Sequence, residues 1–394
     1  MRASLLRRTL RSFSEPVTHL LPPSLPLSLP PHARPGDKVV VAMSGGVDSS
    51  VTAALLARHC DFDLSATFMR NWDTKDELGD DGKCEWERDW HDVQSVCRKL
   101  GNIPVTMCDL SQQYWLRVFE PALGLWEQGM TPNPDIACNR EIKFDAFVHR
   151  LGESVKWIAT GHYASLEWEA ETLQPKLFQS RNRFKDQSYF LSAVQEHKLR
   201  KFMFPIGNMD KSQVRELAQH FQLPTATRED SFGICFVGEK RRFERFISEY
   251  LPQRPGRIVN EHGATVGQHH GLWSYTIGEN ARIPGRAQKM YVARKDVAKN
   301  EIVAVEGGDH PLMWCHALTA HSWTWISPSH DLDTILRLAT NMAVDGRNHK
   351  PKFLLKIRYA IGEVECVPCA GPAPNTEVEP YMTLSSEIIG QMRT

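Results

Sequence analysis

The sequence of 394 residues has no long apolar run, no excess of one charge and no internal repeat. A membrane-spanning helix needs about 18 or more apolar residues in a row, and the apolar stretch at 20–31 is repeatedly interrupted by proline. The 47 basic and 47 acidic residues cancel, so any binding to nucleic acid must depend on local basic patches. The nine cysteines are odd in number and irregularly spaced, which argues against the disulfide framework of a small secreted domain.

The first 36 residues differ from the rest of the chain in charge. They contain five arginines and one acid, Glu15, with leucines interleaved among the first arginines. Such an arginine-rich, acid-poor beginning is typical of an import segment, here for the mitochondrial matrix. The alternative is an extension without targeting information. Without residues 1–36 the chain retains 42 basic and 46 acidic residues, so it is not a basic protein.

Residues 37–165 alternate between strand-like and helix-like patterns. The predicted strands are short apolar runs at residues 38–42, 64–68, 105–108 and 157–160. Apolar residues at helical spacing lie between them, most clearly over 84–100. This order predicts an α/β fold with a doubly wound parallel sheet and helices on both faces.

Ligands of such sheets bind beyond the carboxyl ends of the strands. The candidate contacts there are Gly45 and Gly46 after the first strand, Met69 after the second, and Gly161 with His162 after the strand at 157–160. Because three strand ends agree, we expect one ligand site.

Composition divides the chain into four regions. Turns rich in Gly and Pro follow residue 200, and short alternating strands follow residue 312. The predicted regions are a targeting segment at 1–36, a catalytic domain at 37–200, a small central α+β domain at 201–312 and a C-terminal β-barrel at 313–394.

A turn with two adjacent glycines follows the first predicted strand and opens a helix. Its residues are Ser44, Gly45, Gly46, Val47, Asp48 and Ser49. Glycines let the backbone approach a ligand closely, and the amides at a helix N-terminus favour an anion. No Gly-Lys-Ser/Thr follows, so the loop suits ATP chemistry that releases pyrophosphate better than γ-phosphate transfer. The alternative is a tight turn that binds nothing.

This hexapeptide resembles the phosphate loop of the PP-loop ATP pyrophosphatases, which include several synthetases and tRNA-modifying enzymes. Further segments narrow the resemblance. They lie at 71–73, 129–135, 138–144, 159–164, 185–188, 233–236 and 254–256. Together, from about residue 38 to about residue 310, they resemble the tRNA-specific 2-thiouridylases in the same order along the chain.

The resemblance implies an enzyme that uses ATP, together with Mg²⁺, to adenylate the C2 oxygen of the wobble uridine in a tRNA. A persulfide sulfur then displaces AMP, which gives 2-thiouridine. It implies that Ala42, Met43, Met69 and Gly161 hold ATP together with the six loop residues. For a mitochondrial member, the expected partners are the anticodon arms of the tRNAs for Lys, Glu and Gln, and an upstream persulfide donor.

Two cysteines in polar or glycine-rich surroundings are candidates for sulfur chemistry. Cys138 ends a stretch at 129–138 that is predicted to be a loop because it contains prolines, and it opens a helix predicted at 140–151, whose N-terminus would lower the pKa of the thiol. Asp135, three residues earlier, is placed for proton transfer. Cys235 lies in a glycine-rich setting that would let a sulfur-bearing thiol move. The resemblance implies that Cys235 carries the persulfide and that Cys138 closes a disulfide with it. The alternative is a pair of buried core cysteines.

RNA contacts are expected at local groups. The resemblance implies tRNA contacts at His162, Lys185, Asp186, Gln187, Arg358 and Tyr359. Asn133 and Asp135, with Pro134 between them, are the candidates for holding a uridine extruded from its stack. We expect neither a dedicated metal site nor a membrane partner.

Two other functions stay open at this point. Another PP-loop ligase would use its cysteines only for packing, and a non-catalytic RNA-binding relative would release no pyrophosphate. The C-terminal region also lacks the Gly-Gly pair that usually closes the barrel in this family, and the roles of Cys366 and Cys369 are open.

Overall fold

The computed structural model describes residues 27–72, 85–230, 243–315 and 317–320, and four short stretches at 353–355, 364–370, 382–385 and 392–393. Its α-helices are α1 Val47–His59, α2 Glu85–Lys99, α3 Ser111–Tyr114, α4 Glu120–Glu127, α5 Pro134–Ala137, α6 Phe147–Leu151, α7 Glu196–Leu199, α8 Lys211–His220 and α9 Phe243–Ile247. Two π-helical stretches, Trp115–Phe119 and Cys138–Ala146, join neighbouring α-helices into longer ones. Within the described residues, no helix is both long enough and apolar enough to cross a membrane.

The first eleven strands form three sheets. They are β1 Lys38–Met43, β2 Asp63–Arg70, β3 Val105–Asp109, β4 Trp157–Ala159, β5 Ala164–Trp168, β6 Pro175–Gln179, β7 Phe202–Met203, β8 Gly256–Val259, β9 Thr265–His269, β10 Met290–Asp296 and β11 Glu301–Glu306. Five of them form a parallel sheet in the order β3-β2-β1-β4-β7, which confirms the predicted fold class.

Helices cover both faces of this first sheet. Successive side chains of a strand point to opposite faces, and β1 shows this directly. Val39 and Val41 belong to one buried cluster, whereas Val40 and Ala42 belong to the other. Each face therefore carries its own core, as a doubly wound sheet requires.

The sheet order places a topological switch point between β1 and β4. The chain moves outward from β1 through β2 to β3 on one side, then crosses back to β4 on the other. Val41 pairs with Ala159 in register, so the loops that follow these two strands begin side by side. Ligands of open α/β sheets bind at this position.

Parts of the chain on either side of the predicted catalytic domain also pack on the first sheet. After residue 200, β7 is its fifth strand and α8 packs against α1. Before residue 37, Leu27 and Leu29 pack against the same core. His32 lies edge-on to Trp157, with 4.9 Å between ring centroids. The end of the predicted targeting segment, from residue 27, is therefore part of this packed unit.

The remaining strands form smaller sheets. A mixed four-stranded sheet has the order β10-β11-β8-β9, and β5 pairs with β6 as a hairpin. Beyond residue 313 the described strands are β12 Trp314–Cys315, β13 Ala317–Ala320, β14 Phe353–Leu355, β15 Val364–Ala370, β16 Met382–Ser385 and β17 Met392–Arg393. Four of them form an antiparallel sheet in the order β13-β16-β15-β14. Closure of this C-terminal sheet into a barrel stays a prediction.

Candidate functional site

The loop at 44–49, here called the phosphate loop, is folded back on itself by its own polar atoms. Ser44 donates its backbone N–H to Ser49 Oγ at 3.1 Å, and Ser49 Oγ donates to the carbonyl of Gly46 at 3.3 Å. Gly46 is the N-cap of α1 and has no side chain to cap the helix. The N-terminal amides of α1 therefore face a place where an anion is favoured.

Two glycines allow the close packing around this loop. Gly45 has a φ of +78°, and a Cβ there would lie 2.8 Å from the backbone oxygen of Asp89. A Cβ on Gly161 would lie 2.8 Å from the backbone nitrogen of Ser49. The segment after β4 thus lies against the phosphate loop, as expected at the switch point.

The other predicted ATP contacts lie around the same strand ends. Ala42, Met43 and Val47 are buried beside the loop. Phe68 pairs with Met43 in the sheet, so Met69 follows at the same edge. Their contact with a nucleotide stays a prediction, but the fold brings all of them to the expected edge.

Asp48 of the phosphate loop is neutralised by groups far away in the sequence. Lys211 Nζ donates to its two carboxylate oxygens at 2.7 and 2.9 Å, and Tyr163 Oη donates to one of them at 2.9 Å. Burial, and next the negative charge of Asp48, raises the pKa of Tyr163, which keeps the phenol protonated. Residue-by-residue reading of the loop missed Lys211 because α8 brings it from 163 positions away.

Asp230 extends this set of ion pairs, here called the ionic network. Its carboxylate oxygens form ion pairs with Lys211 at 2.9 Å, Lys185 at 2.8 Å and Arg215 at 2.5 Å. Burial alone would raise the pKa of Asp230, but hydrogen bonds from Lys185 and Lys211 hold it at about 2. The network therefore connects Asp48 to Lys185 through Lys211 and Asp230.

Arg228 forms a second support for the phosphate loop. Its guanidinium donates to the carbonyl of Gly45 at 3.2 Å and to Asp92 of α2 at 2.6 Å, and it also pairs with Asp89. Arg228 was not predicted either. The only sequence feature that could have indicated a role for Arg228 is the charged triplet at 228–230, which directly precedes the segment that carries Cys235.

The helix that carries Cys138 begins at Pro134, six residues earlier than predicted. Asn133 is its N-cap, and its Oδ1 accepts from the backbone N–H groups of Asp135 at 3.1 Å and Ile136 at 3.3 Å. Pro134 occupies the first helical position, where proline is favoured because no N–H is needed there. The prediction of a loop through Cys138 was wrong because it treated the prolines only as breakers of regular structure.

Cys138 consequently lies inside the helix. It is 2% exposed, and it is the first residue of the π-helical stretch Cys138–Ala146. Since the helix dipole acts mainly on the first turn, the argument that a helix N-terminus directly activates Cys138 does not hold in this structure. A π-helical stretch at this cysteine is still notable, because such stretches are frequent at functional sites.

Asp135 and His162 both lie within electrostatic range of Lys143. Burial raises the pKa of Asp135, opposed by the charge of Lys143. Burial, and next the charge of Lys143, lowers the pKa of His162 to about 3. His162 is therefore neutral at physiological pH, and its Nδ1 lies 2.7 Å from Thr160 Oγ1. Its ring packs 5.8 Å from that of Phe144, which joins the Cys138 helix to the segment after β4.

Asn139 is a further residue that the sequence analysis missed. It is 3% exposed, and its Nδ2 donates to the carbonyls of Asp135 at 3.0 Å and Phe190 at 3.2 Å. It thereby fixes the Cys138 helix against the short 3₁₀ helix Ser188–Leu191. The sequence feature that could have indicated Asn139 is its position directly after Cys138.

The predicted RNA contacts at 185–187 differ in exposure. Asp186 is 1% exposed and accepts from the backbone N–H of Ser180 at 2.9 Å. Gln187 exchanges hydrogen bonds with the backbone of Tyr163, at 2.7 and 2.9 Å. Lys185 belongs to the ionic network. These residues hold the 180–187 loop beside the switch point, and direct contact with RNA stays a prediction for each of them.

The remaining cysteines and predicted RNA contacts fall into two groups. Cys97 and Cys108 are buried, and burial raises the pKa of both thiols, that of Cys97 to about 11. They pack in the two cores of the first sheet. Cys235, Arg358 and Tyr359 lie outside the described residues, so their predicted roles are untested.

Comparison with known proteins agrees with this geometry. The sequence matches the family described as the tRNA methyl transferase HUP domain over residues 37–239. It also matches the tRNA methyl transferase PRC-barrel domain over residues 244–306, which contain the mixed four-stranded sheet.

Curated relatives point to the same family. The chain is 43% identical over 299 residues to the tRNA-specific 2-thiouridylase MnmA of Bacillus velezensis, which covers 75% of this chain and 78% of that protein. It is 42% identical over 297 residues to the protein of the same name from Bacillus subtilis, covering 74% and 78%. The Hydrogenovibrio crunogenus protein of that name is 43% identical over 299 residues, covering 74% and 76%. With a phosphate loop at the switch point of a parallel sheet, this chain belongs to the tRNA-specific 2-thiouridylase family of the PP-loop superfamily.

Proposed function

We propose that this chain is an ATP-dependent tRNA uridine 2-sulfurtransferase. It would adenylate the C2 oxygen of the wobble uridine and replace that oxygen with sulfur from a cysteine persulfide. The observation that carries the proposal is the meeting of two elements at one sheet edge. Gly161 lies against the phosphate loop, and its neighbour His162 packs on the helix that carries Asp135 and Cys138.

The phosphate loop fits the triphosphate of ATP. The amides of α1 supply an anion site, and side chains on Gly45 or Gly161 would collide with backbone. Asp48 is a carboxylate within the phosphate loop itself, and the ionic network offsets its charge. A magnesium ion would be held mainly by the phosphates, which is how Mg²⁺ is usually bound in such sites.

Asp135 and His162 would divide the work around the uridine. Because burial raises its pKa, Asp135 is a stronger proton acceptor than a solvated carboxylate and is suited to exchanging a proton with the base. Because His162 is neutral, it would orient groups by hydrogen bonding and packing, and it would not act as a phosphate-binding cation. Cys235 would deliver the sulfur, and Cys138 would form a disulfide with it as the sulfur leaves.

The finer assignments follow from the sequence. The substrates would be the anticodon arms of the mitochondrial tRNAs for Lys, Glu and Gln, with an upstream persulfide donor. The arginine-rich beginning of the chain supports import into the mitochondrial matrix. Because residues 27–33 pack on the first sheet, a removable leader would end before residue 27. Fusion of residues 1–26 to a fluorescent protein tests the mitochondrial targeting. Fluorescence that stays in the cytosol would refute it.

The activity is tested by incubating the protein with ATP, Mg²⁺, a small-molecule persulfide as the sulfur donor and unmodified mitochondrial tRNA, followed by mass analysis of the nucleosides. We expect 2-thiouridine with the natural chain and none with Cys138→Ser or Cys235→Ser. The Cys97→Ser variant is the matched control, because Cys97 is a buried packing cysteine. If both active-site variants still thiolate tRNA, the cysteine roles are wrong. If ATP is split but the tRNA stays unmodified, the substrate assignment is wrong.

A further inference from the structure

The 180–187 loop presents one aromatic side chain to solvent. Phe184 is 94% exposed, an unusual position for a large apolar ring. Arg181 and Arg183, three positions and one position before it, are exposed as well. An exposed aromatic ring together with guanidinium groups on one loop is a combination that binds unpaired nucleotides, by stacking on the base and by attracting the phosphates.

The exposure of Phe184 results from a well-formed turn. Asn182 Oδ1 accepts from the backbone N–H of Phe184 at 3.2 Å, and the carbonyl of Asn182 accepts from the N–H of Lys185 at 3.1 Å. Ser180 Oγ accepts from the N–H of Asn182 at 3.2 Å. Three local hydrogen bonds thus fix the backbone that carries the ring. Because the backbone is already ordered, little backbone freedom is lost when the ring stacks on a base.

The base of the loop is attached to the candidate site. Gln187 is hydrogen-bonded to the backbone of Tyr163, the residue after His162. Lys185 is paired with Asp230 at 2.8 Å and so joins the ionic network that reaches Asp48. The tip that carries Phe184 is therefore held beside the place where the proposed reaction occurs.

We propose that Phe184 is a stacking platform for an unpaired base of the RNA substrate, with Arg181 and Arg183 contacting the adjacent phosphates. An enzyme that modifies a stacked base must first draw it out of the stack, which leaves its neighbours without a stacking partner. Phe184 replaces that partner. This inference rests on the proposed function, since it names a contact for the same RNA.

The first test measures binding of an anticodon stem-loop RNA by fluorescence anisotropy. We expect Phe184→Ala to weaken binding by about 10- to 100-fold and Phe184→Tyr to retain it. Phe178→Ala is the matched control, because Phe178 is exposed on the neighbouring strand β6 and is expected to leave affinity unchanged. Equal affinities for the natural chain and Phe184→Ala would overturn the inference.

Salt dependence separates the ring from the arginines. Phe184→Ala is expected to leave the slope of log affinity against log salt unchanged, whereas Arg181→Gln and Arg183→Gln each reduce it by about 1. A reduced slope for Phe184→Ala would mean that the substitution disturbs phosphate contacts, and would refute a stacking role.

A base analogue reports stacking directly. With 2-aminopurine beside the wobble position, the natural chain and Phe184→Tyr are expected to give the same fluorescence change on binding, and Phe184→Ala a different one. If the natural chain thiolates tRNA but the natural chain, Phe184→Tyr and Phe184→Ala all give the same fluorescence change, only the stacking role of Phe184 is refuted. If the natural chain neither binds nor thiolates RNA, the proposed function fails with it.

Discussion

The phosphate loop and the 180–187 loop lie beside the same strand end, but different kinds of contact hold them. Gly45 and Asp48 of the phosphate loop are held by Arg228, Tyr163 and Lys211, which are 115 to 183 positions away in the sequence. The 180–187 loop is built mainly by hydrogen bonds between residues two to six positions apart. The more recognisable sequence motif is therefore the one that depends more on the rest of the fold.

The largest expected effect tests the close packing of the phosphate loop. Gly45→Ala should reduce ATP-dependent release of AMP at least about 100-fold, since the new Cβ meets the backbone of α2 and the left-handed φ is strained. Pyrophosphate release measures the effect. Gly124→Ala is the control, because Gly124 lies in α4 with open space around it. Normal turnover by Gly45→Ala would contradict the described packing.

The next effect tests the remote charges. Lys211→Met leaves the carboxylates of Asp48 and Asp230 without their shared cation, so we expect ATP affinity to fall by about 30-fold, or about 2 kcal/mol. Titration calorimetry measures it, and Lys211→Arg should recover part of the loss. Lys198→Met serves as the control, because Lys198 pairs with Asp145 at 2.6 Å, outside the ionic network. An unchanged ATP affinity in Lys211→Met would show that the network does not support the loop.

A smaller effect is expected in the local loop. Asp186→Asn weakens the hydrogen bonds from Ser180 and Ser188 and should cost about 1–2 kcal/mol of stability. RNA affinity should fall while ATP affinity stays constant, because these bonds are local to the 180–187 loop. Binding measurements with both ligands check this, with Glu171→Gln on the exposed turn before β6 as the control. Equal losses for ATP and RNA would remove the distinction between the two loops.

The smallest effect at neutral pH concerns His162. Its neighbours in the chain contact the two loops: Gly161 lies against the phosphate loop, and Tyr163 is hydrogen-bonded to Gln187 of the 180–187 loop. Its folded pKa of about 3 is below the unfolded value, so the unfolded chain binds the proton more tightly. The contribution of His162 to the free energy of unfolding is complete above about pH 6.5. It falls by about 1.4 kcal/mol for each pH unit as the pH drops toward 3.

His162→Asn should remove this slope. Urea unfolding at pH 5 and pH 7.5 measures it, with the exposed His262→Asn as the control. If the natural chain and His162→Asn lose stability equally at pH 5, the histidine is not buried in its neutral form.

The sequence predicted the first sheet well because its strands are short apolar runs separated by helical periodicity. It also predicted the phosphate loop, since Gly45 and Gly46 directly follow a strand. It misplaced the start of the Cys138 helix, because Asn133 and Pro134 were treated as a loop although an Asn N-cap followed by Pro favours a helix start.

Other features were beyond local reasoning. Lys211 and Arg228 reach the phosphate loop only through tertiary packing, so no spacing along the chain indicates them. Asp186 was predicted as a substrate contact, and its burial became visible only once the 180–187 loop had a conformation. Long-range ion pairs and burial depend on the whole fold, whereas strand ends and glycine turns are encoded locally.

The most direct test of adenylation at the phosphate loop follows an oxygen atom. A tRNA with oxygen-18 at C2 of the wobble uridine would be thiolated in a single turnover, and the AMP and pyrophosphate would be separated for mass analysis. If the C2 oxygen attacks the α-phosphate, the label must appear in AMP and be absent from pyrophosphate. Unlabelled AMP alongside a thiolated tRNA would contradict adenylation of that oxygen, and with it the role assigned to the phosphate loop.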